Sequence, residues 1–244
     1  MVRSVVIGAG SAGCVAAARL SEREDHEVVL VEAGPDLAPG HVPGAIEGPD
    51  FLQALELPGR TVAGLVATRV TGGDRAPYRR GRGVGGSSAV NALVALRGDP
   101  RVYQRWGWHD VGGAWSRVAL PEEQPGTDEL GPIDRALLAA ADDALVAPLT
   151  RRDGRRVTSA VAYLWPALQR VNLSVRADAR VERIEFHGQR AVGVVLADGE
   201  SIVADQVVLA AGAVPSPALL LRSGVDTPGV GVGLQVHPAV ALTL

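Results

Sequence analysis

The run Val5-Val6-Ile7-Gly8-Ala9-Gly10-Ser11-Ala12-Gly13 restricts the folding of this chain more than any other. Ser4–Ile7 is apolar and reads as a strand. Three glycines follow, and Ala12–Ser21, rich in alanine, reads as a helix. Glu27–Glu32 (EVVLVE) reads as a second strand. Strand, glycine turn, helix and strand make one βαβ unit, which commits the two strands to a parallel sheet. Each glycine has a task in such a unit. Gly8 permits the tight turn, Gly10 lets the backbone approach a pyrophosphate, and Gly13 lets helix lie close on strand. Ser11 and Ala12 open the helix, whose free N–H groups and partial positive charge suit phosphate. Glu32 ends the second strand 19 residues after Gly13. A carboxylate there accepts from ribose hydroxyls, and its being no arginine argues against a 2′-phosphate. The motif leaves FAD and NAD both open.

A second glycine run is rarer. Arg80 to Ser88 reads RGRGVGGSS, with four glycines in the six positions 81–86. An interior strand or helix tolerates that poorly, whereas a backbone lying flat on a planar ligand or a phosphate needs it. Arg82 offers charge, and Ser87 and Ser88 offer hydroxyls. Ser87–Leu96 is apolar and helix-compatible, starting at a serine pair able to cap it.

Composition is that of a globular protein: 47% hydrophobic and 21% charged residues in 244. A net charge of −3 gives no pull toward nucleic acid or anionic membrane. No apolar run reaches the roughly 20 residues that span a bilayer, and glycines at motif spacing tell against a signal peptide. The single Cys14 excludes an intrachain disulfide and fits a reducing, cytoplasmic compartment.

Farther on, Asp50–Leu57 holds short helical pieces, Gly107–Gly131 is broken by Gly and Pro, and Ile133–Leu145 reads as a helix. Leu173–Val175, Ala179–Phe186, Ala191–Leu196 and Ser201–Leu209 are β-rich, with a turn at Ala197–Gly199. Cys14 reads as a small core residue. Asp142 and Asp143 are adjacent and share no helix face, and no zinc spacing is present. Of the five histidines, His26 and His187 read as solvated and His41 and His109 lie in irregular segments. No catalytic base is assigned, so the catalytic residues stay unknown. The tryptophans at 106, 108, 115 and 165 read as packing residues.

Arg80–Gly98 and GDPRVYQRW (Gly98–Trp106) resemble the first signature of the glucose–methanol–choline (GMC) oxidoreductases and the segment after it. AAGAVPSPALLLRSGV (Ala210–Val225) resembles the second signature, and PGVGVGLQVHP (Pro228–Pro238) the family's PGVG-x-NLQDHP, with Gly233 and Val236 departing from it. The resemblance implies an α/β fold: a Rossmann-like FAD-binding domain of GMC type with an incomplete substrate or cap domain. It places the FAD-binding domain at 1–115 and 157–244 and a shortened cap excursion at 116–156. It implies FAD as cofactor, with Gly85, Gly86 and Ser87 lining the flavin, Asn91, Ala92, Leu93 and Val94 running along isoalloxazine and pyrophosphate, Val181 at adenine, and Gly212 in the second signature. The implied function is FAD-dependent oxidation of a small-molecule alcohol at CH–OH, with reoxidation by an external electron acceptor. The family's catalytic histidine and its His or Asn partner would fall beyond Leu244, and His237 matches another position. The alternatives are a flavin-binding, electron-transferring module completed by a partner chain, and a non-catalytic truncated remnant. Composition also suits the mycofactocin-associated branch.

Overall fold

A computed structural model describes residues 1–68 and 70–236. Strand β1 (Val2–Ile7), helix α1 (Ser11–Leu20) and strand β2 (His26–Val31) form the expected βαβ unit. The strands pair in parallel, Val5 opposite Val29. β3 (Leu173–Arg176) extends the sheet beyond β2, and β7 (Gln206–Leu209) flanks β1. The order is β7-β1-β2-β3, all parallel. A second sheet, antiparallel, runs β6-β5-β4 from β4 (Val181–His187), β5 (Arg190–Leu196) and β6 (Ser201–Val203).

The parallel sheet is buried on both faces, which is why its strands read as continuous apolar runs. Alternation still sorts the side chains. Val6, Val28 and Leu30 face α1 and the helical turns at Ala160–Ala167, in a core with Cys14, Ala17 and Leu164. Val5, Ile7, Val29 and Val31 face the antiparallel sheet and helix α3 (Pro215–Arg222), in a core with Val181, Val194 and Leu219. The molecule is thus layered helix, parallel sheet, antiparallel sheet.

The segment Ser201–Leu209 is not one strand. β6 belongs to one sheet and β7 to the other, with the change at Ala204–Asp205. Ala204 N still donates to Val192 O, whereas Asp205 N donates to Arg3 O and the Asp205 carboxylate accepts from Arg3 N at 2.9 Å. A backbone cannot pair with both layers in one straight run, so it steps across.

Two helical expectations need correction. Ser87–Leu96 forms only one 3₁₀ turn, Gly86–Ala89. Its backbone is tied elsewhere: Asn91 Oδ1 accepts from Leu93 N, Leu93 O accepts from Thr150 N, and Leu93 has φ +62. The helix expected over Ile133–Leu145 is α2 at Pro132–Ala140, started by Pro132 and by Asp134 accepting from Gly131 N at 2.8 Å. None of its residues is buried. It lies in 116–156, a stretch closed by a short hairpin at Arg151–Arg156. Among the described residues no helix is long and apolar enough to cross a membrane.

Candidate functional site

The carboxyl ends of β1, β2 and β7 open onto a cavity of about 720 Å³, within the range of small-molecule sites. Open α/β sheets bind ligands at that edge. Two glycine loops meet beneath it. Gly85 N donates to Ala9 O at 2.8 Å, and a Cβ on Gly86 would stand 2.5 Å from Gly10 Cα. Residues 76 positions apart in sequence are therefore backbone neighbours, and only glycine permits that approach.

The glycines divide by what demands them. A Cβ on Gly13 would lie 1.7 Å from Gly8 O, and one on Gly8, at φ +96, would lie 2.6 Å from Ala210 O. The chain's own packing excludes side chains there. Gly10 is different. Its φ is −79, which any residue adopts, and an added Cβ would meet only Gly86 Cα at 3.8 Å, an ordinary contact. Gly10 faces the cavity, so the space it leaves belongs to whatever the cavity holds.

Ser11 and Ala12 also line the cavity, at the exposed first turn of α1. That turn has no side-chain cap and no acidic residue. Its N–H groups are left for an anion. Glu32, buried, laces the loops: Oε2 accepts from Ala9 N at 2.8 Å, and Oε1 accepts from Gly34 N at 2.8 Å and Gly83 N at 2.9 Å. A carboxylate offers about four acceptor positions. One remains on Glu32, which itself lines the cavity. Around it stand Arg80, Arg82, Arg180 and Arg222, with Glu32 the one carboxylate among the described lining residues. Such a wall favours an anionic ligand.

Of the residues picked from sequence, Gly8, Gly10, Ser11, Ala12, Glu32, Arg82, Gly86, Ser87, Val181 and Gly212 line this cavity. Gly13 and Gly85 are buried behind it. Asn91, Ala92, Leu93 and Val94 do not line it: Leu93 is buried, and the other three are exposed. That stretch is anchored by Arg156, which donates to Asn91 O at 2.7 Å, Asn91 Oδ1 at 2.8 Å and Ile46 O at 2.9 Å. Burial pushes the Arg156 guanidinium down to about 10, still cationic at neutral pH. Sequence reading passed over Arg180 and Arg222. Each sits inside a recognised segment, but only the fold turns both toward the cavity.

Burial pushes the Cys14 thiol up to about 12, so it stays protonated and packs, donating to Ala9 O. His26 is not solvated as expected. It is buried, 2.6 Å from Ser4 Oγ through Nε2, at the end of the sheet away from the cavity. His41, His109 and His187 are exposed. Among the described residues no histidine lines the cavity. His237 lies outside the described residues.

Comparison with known proteins places this arrangement. A family profile described as GMC oxidoreductase matches residues 2–120 and 137–239. Human mitochondrial choline dehydrogenase is 33% identical over 96% of this chain and 50% of its own length. The crystal structure of pyridoxine 4-oxidase from Mesorbium loti superposes with a TM-score of 0.78 at 32% identity, covering 94% of this chain and 54% of that one. An FAD-dependent oxidoreductase from Chaetomium thermophilum shares the fold, with a TM-score of 0.75 at 21% identity over 92% of this chain and 48% of that one. The chain spans about half the length of the curated relatives it matches. The mycofactocin association gains no support from these relatives.

Proposed function

The chain belongs to the GMC oxidoreductase family, and from that premise we propose that it forms the cofactor-binding half of a flavoenzyme that oxidises the CH–OH group of an alcohol. Its cofactor is FAD. When bound, FAD supplies the hydride acceptor, which leaves the protein to bind, orient and receive a proton. The first turn of α1 and Gly10 take the diphosphate, and the free acceptor position on Glu32 takes a ribose hydroxyl. Arg82 lines the wall beside the second loop while donating to Ala33 O at 2.5 Å and Gly59 O at 3.3 Å. The alcohol reading draws on the relatives' names. Choline and pyridoxine both carry a –CH₂OH group, and a general base must remove its hydroxyl proton during hydride loss.

The observation that carries the cofactor reading is the vacancy at Gly10, a glycine that backbone conformation and packing do not require. Gly10→Ala tests it. The added methyl fits the protein but meets the diphosphate, so thermal unfolding without ligand should match the wild type. FAD affinity should fall roughly 10–100-fold, the scale of the ~1–3 kcal/mol that overpacking costs. The cofactor released by heat from wild-type protein should run as FAD in chromatography. Release of a nicotinamide nucleotide alone, or undiminished FAD binding by Gly10→Ala, would sink the reading.

A further inference from the structure

The adenosine half of the cofactor needs a surface for its base, an argument that rests on the reading above that the cavity holds FAD. With the diphosphate at Gly10–Ala12 and the ribose at Glu32, the base lies beyond Glu32. There Ala179 N donates to Glu32 O at 2.8 Å and brings Arg180 and Val181 alongside. The wall at this end is aliphatic, since Val181 and Leu219 are 6% and 2% exposed and both line the cavity. Alkyl groups thus serve one face of a flat purine. No phenylalanine, tyrosine or tryptophan is among the described lining residues. The planar side chains available for the other face are the guanidinium groups of Arg180 and Arg222.

These two differ. Arg180 Nη1 is 2.5 Å from Glu182 Oε2, so an ion pair occupies it. Arg222, the last residue of α3, donates from Nε to Glu182 O at 3.2 Å. Among the described residues its two terminal nitrogens donate to nothing. One bond at Nε sets the tilt of the plane and leaves both faces free. A guanidinium is weakly hydrated and stacks on aromatic rings, and bases stack on arginine planes where proteins bind single-stranded RNA.

We propose that the Arg222 guanidinium lies over the outer face of the adenine and closes that end of the cavity, with Arg180 held at the rim by Glu182. The plane matters here rather than the charge, because the phosphates sit on the far side of the ribose.

Titration calorimetry of the full chain with ADP and with FAD, at low and high salt, tests this. R222A should weaken both ligands about tenfold, the scale of one stacking contact. R222K keeps the charge but loses the plane, and should weaken them nearly as much, with little effect of salt on the ratio. Affinity within twofold of wild type in R222A would overturn the proposal. So would full recovery in R222K, which would make the contact a charge contact. Failure of wild-type protein to bind FAD would overturn the cofactor reading itself, a result distinct from normal wild-type binding with R222A unchanged.

Discussion

Gly13 lies in α1 and Gly112 in a short helix at Val111–Trp115, and their surroundings are opposite. A Cβ on Gly13 would sit 1.7 Å from a backbone oxygen, whereas one on Gly112 would meet nothing within 4 Å. The contrast extends to the regions they stand in. Around the cavity, β1, α1, β2 and the two glycine loops touch backbone to backbone, and a buried carboxylate joins them. Between Leu93 and Thr150 the chain carries exposed apolar groups, Trp106 at 64%, Trp108 at 59% and Leu137 at 51%. There, ion pairs do much of the joining. Arg151, with its side chain 7% exposed, is 2.6 Å from both Glu123 and Glu129. One region is determined by steric exclusion, the other by a few charged contacts. Steric exclusion admits no compromise, while ion pairs whose carboxylates stay partly in solvent are worth less singly. The cavity region should therefore respond to substitution far more steeply.

The largest expected contrast is Gly13→Ala against Gly112→Ala. The first should remove roughly 4 kcal/mol or leave no folded protein, at the extreme of single substitutions. The second should lie within ~0.5 kcal/mol of wild type or gain up to ~1 kcal/mol from helix propensity. Urea denaturation followed by circular dichroism measures both. Equal effects would break the comparison.

Glu32→Gln comes next. It replaces a carboxylate accepting from three N–H groups with an amide that turns a donor toward one of them. The expected loss is about 2–3 kcal/mol, the scale of hydrogen bonds to a buried charge, together with weakened FAD binding. Stability unchanged under the same denaturation assay would show that the loops hold without their carboxylate.

The smallest effect lies in the ion-paired region and depends on pH. Hydrogen bonding from Arg151, then from Gly126 N, holds the Glu129 carboxyl down at about 2. A carboxyl depressed in the folded state stabilises fully above its ordinary value of 4.5 and loses that contribution as pH falls toward about 2. Amide hydrogen exchange at 122–152, corrected for intrinsic rates, should quicken over that window while β1 and β2 stay protected. Glu129→Gln should remove the pH dependence. Simultaneous loosening of the two regions would show that they unfold as one unit.

The βαβ unit was readable because its constraints are local: a turn, a helix start and a carboxylate at fixed spacing. The strands of the second sheet were readable as β-rich segments with a turn at Ala197–Gly199, but not the step that splits Ser201–Leu209 between the two sheets. Ser87–Leu96 was misread because its apolar pattern suits a helix, but its carbonyls and N–H groups are claimed by Pro148, Thr150 and Arg156 from distant parts of the chain. His26 was misread for the same reason. Charged neighbours suggested solvent, yet pairing of the two strands brings the Ser4 hydroxyl within hydrogen-bond distance of Nε2 at the ring edge.

From sequence alone came the parallel βαβ unit, the second glycine loop and the carboxylate at Glu32, since spacing and residue type suffice for each. Tertiary structure decided which glycine serves the ligand and which serves the chain. Gly8, Gly10 and Gly13 look alike in a motif, but an added Cβ meets backbone at the first and the last and an ordinary contact at the middle one. It also decided that Arg180 and Arg222, 42 positions apart, share one end of the cavity. Distances between segments remote in sequence are set by how layers pack, and no local pattern carries that information.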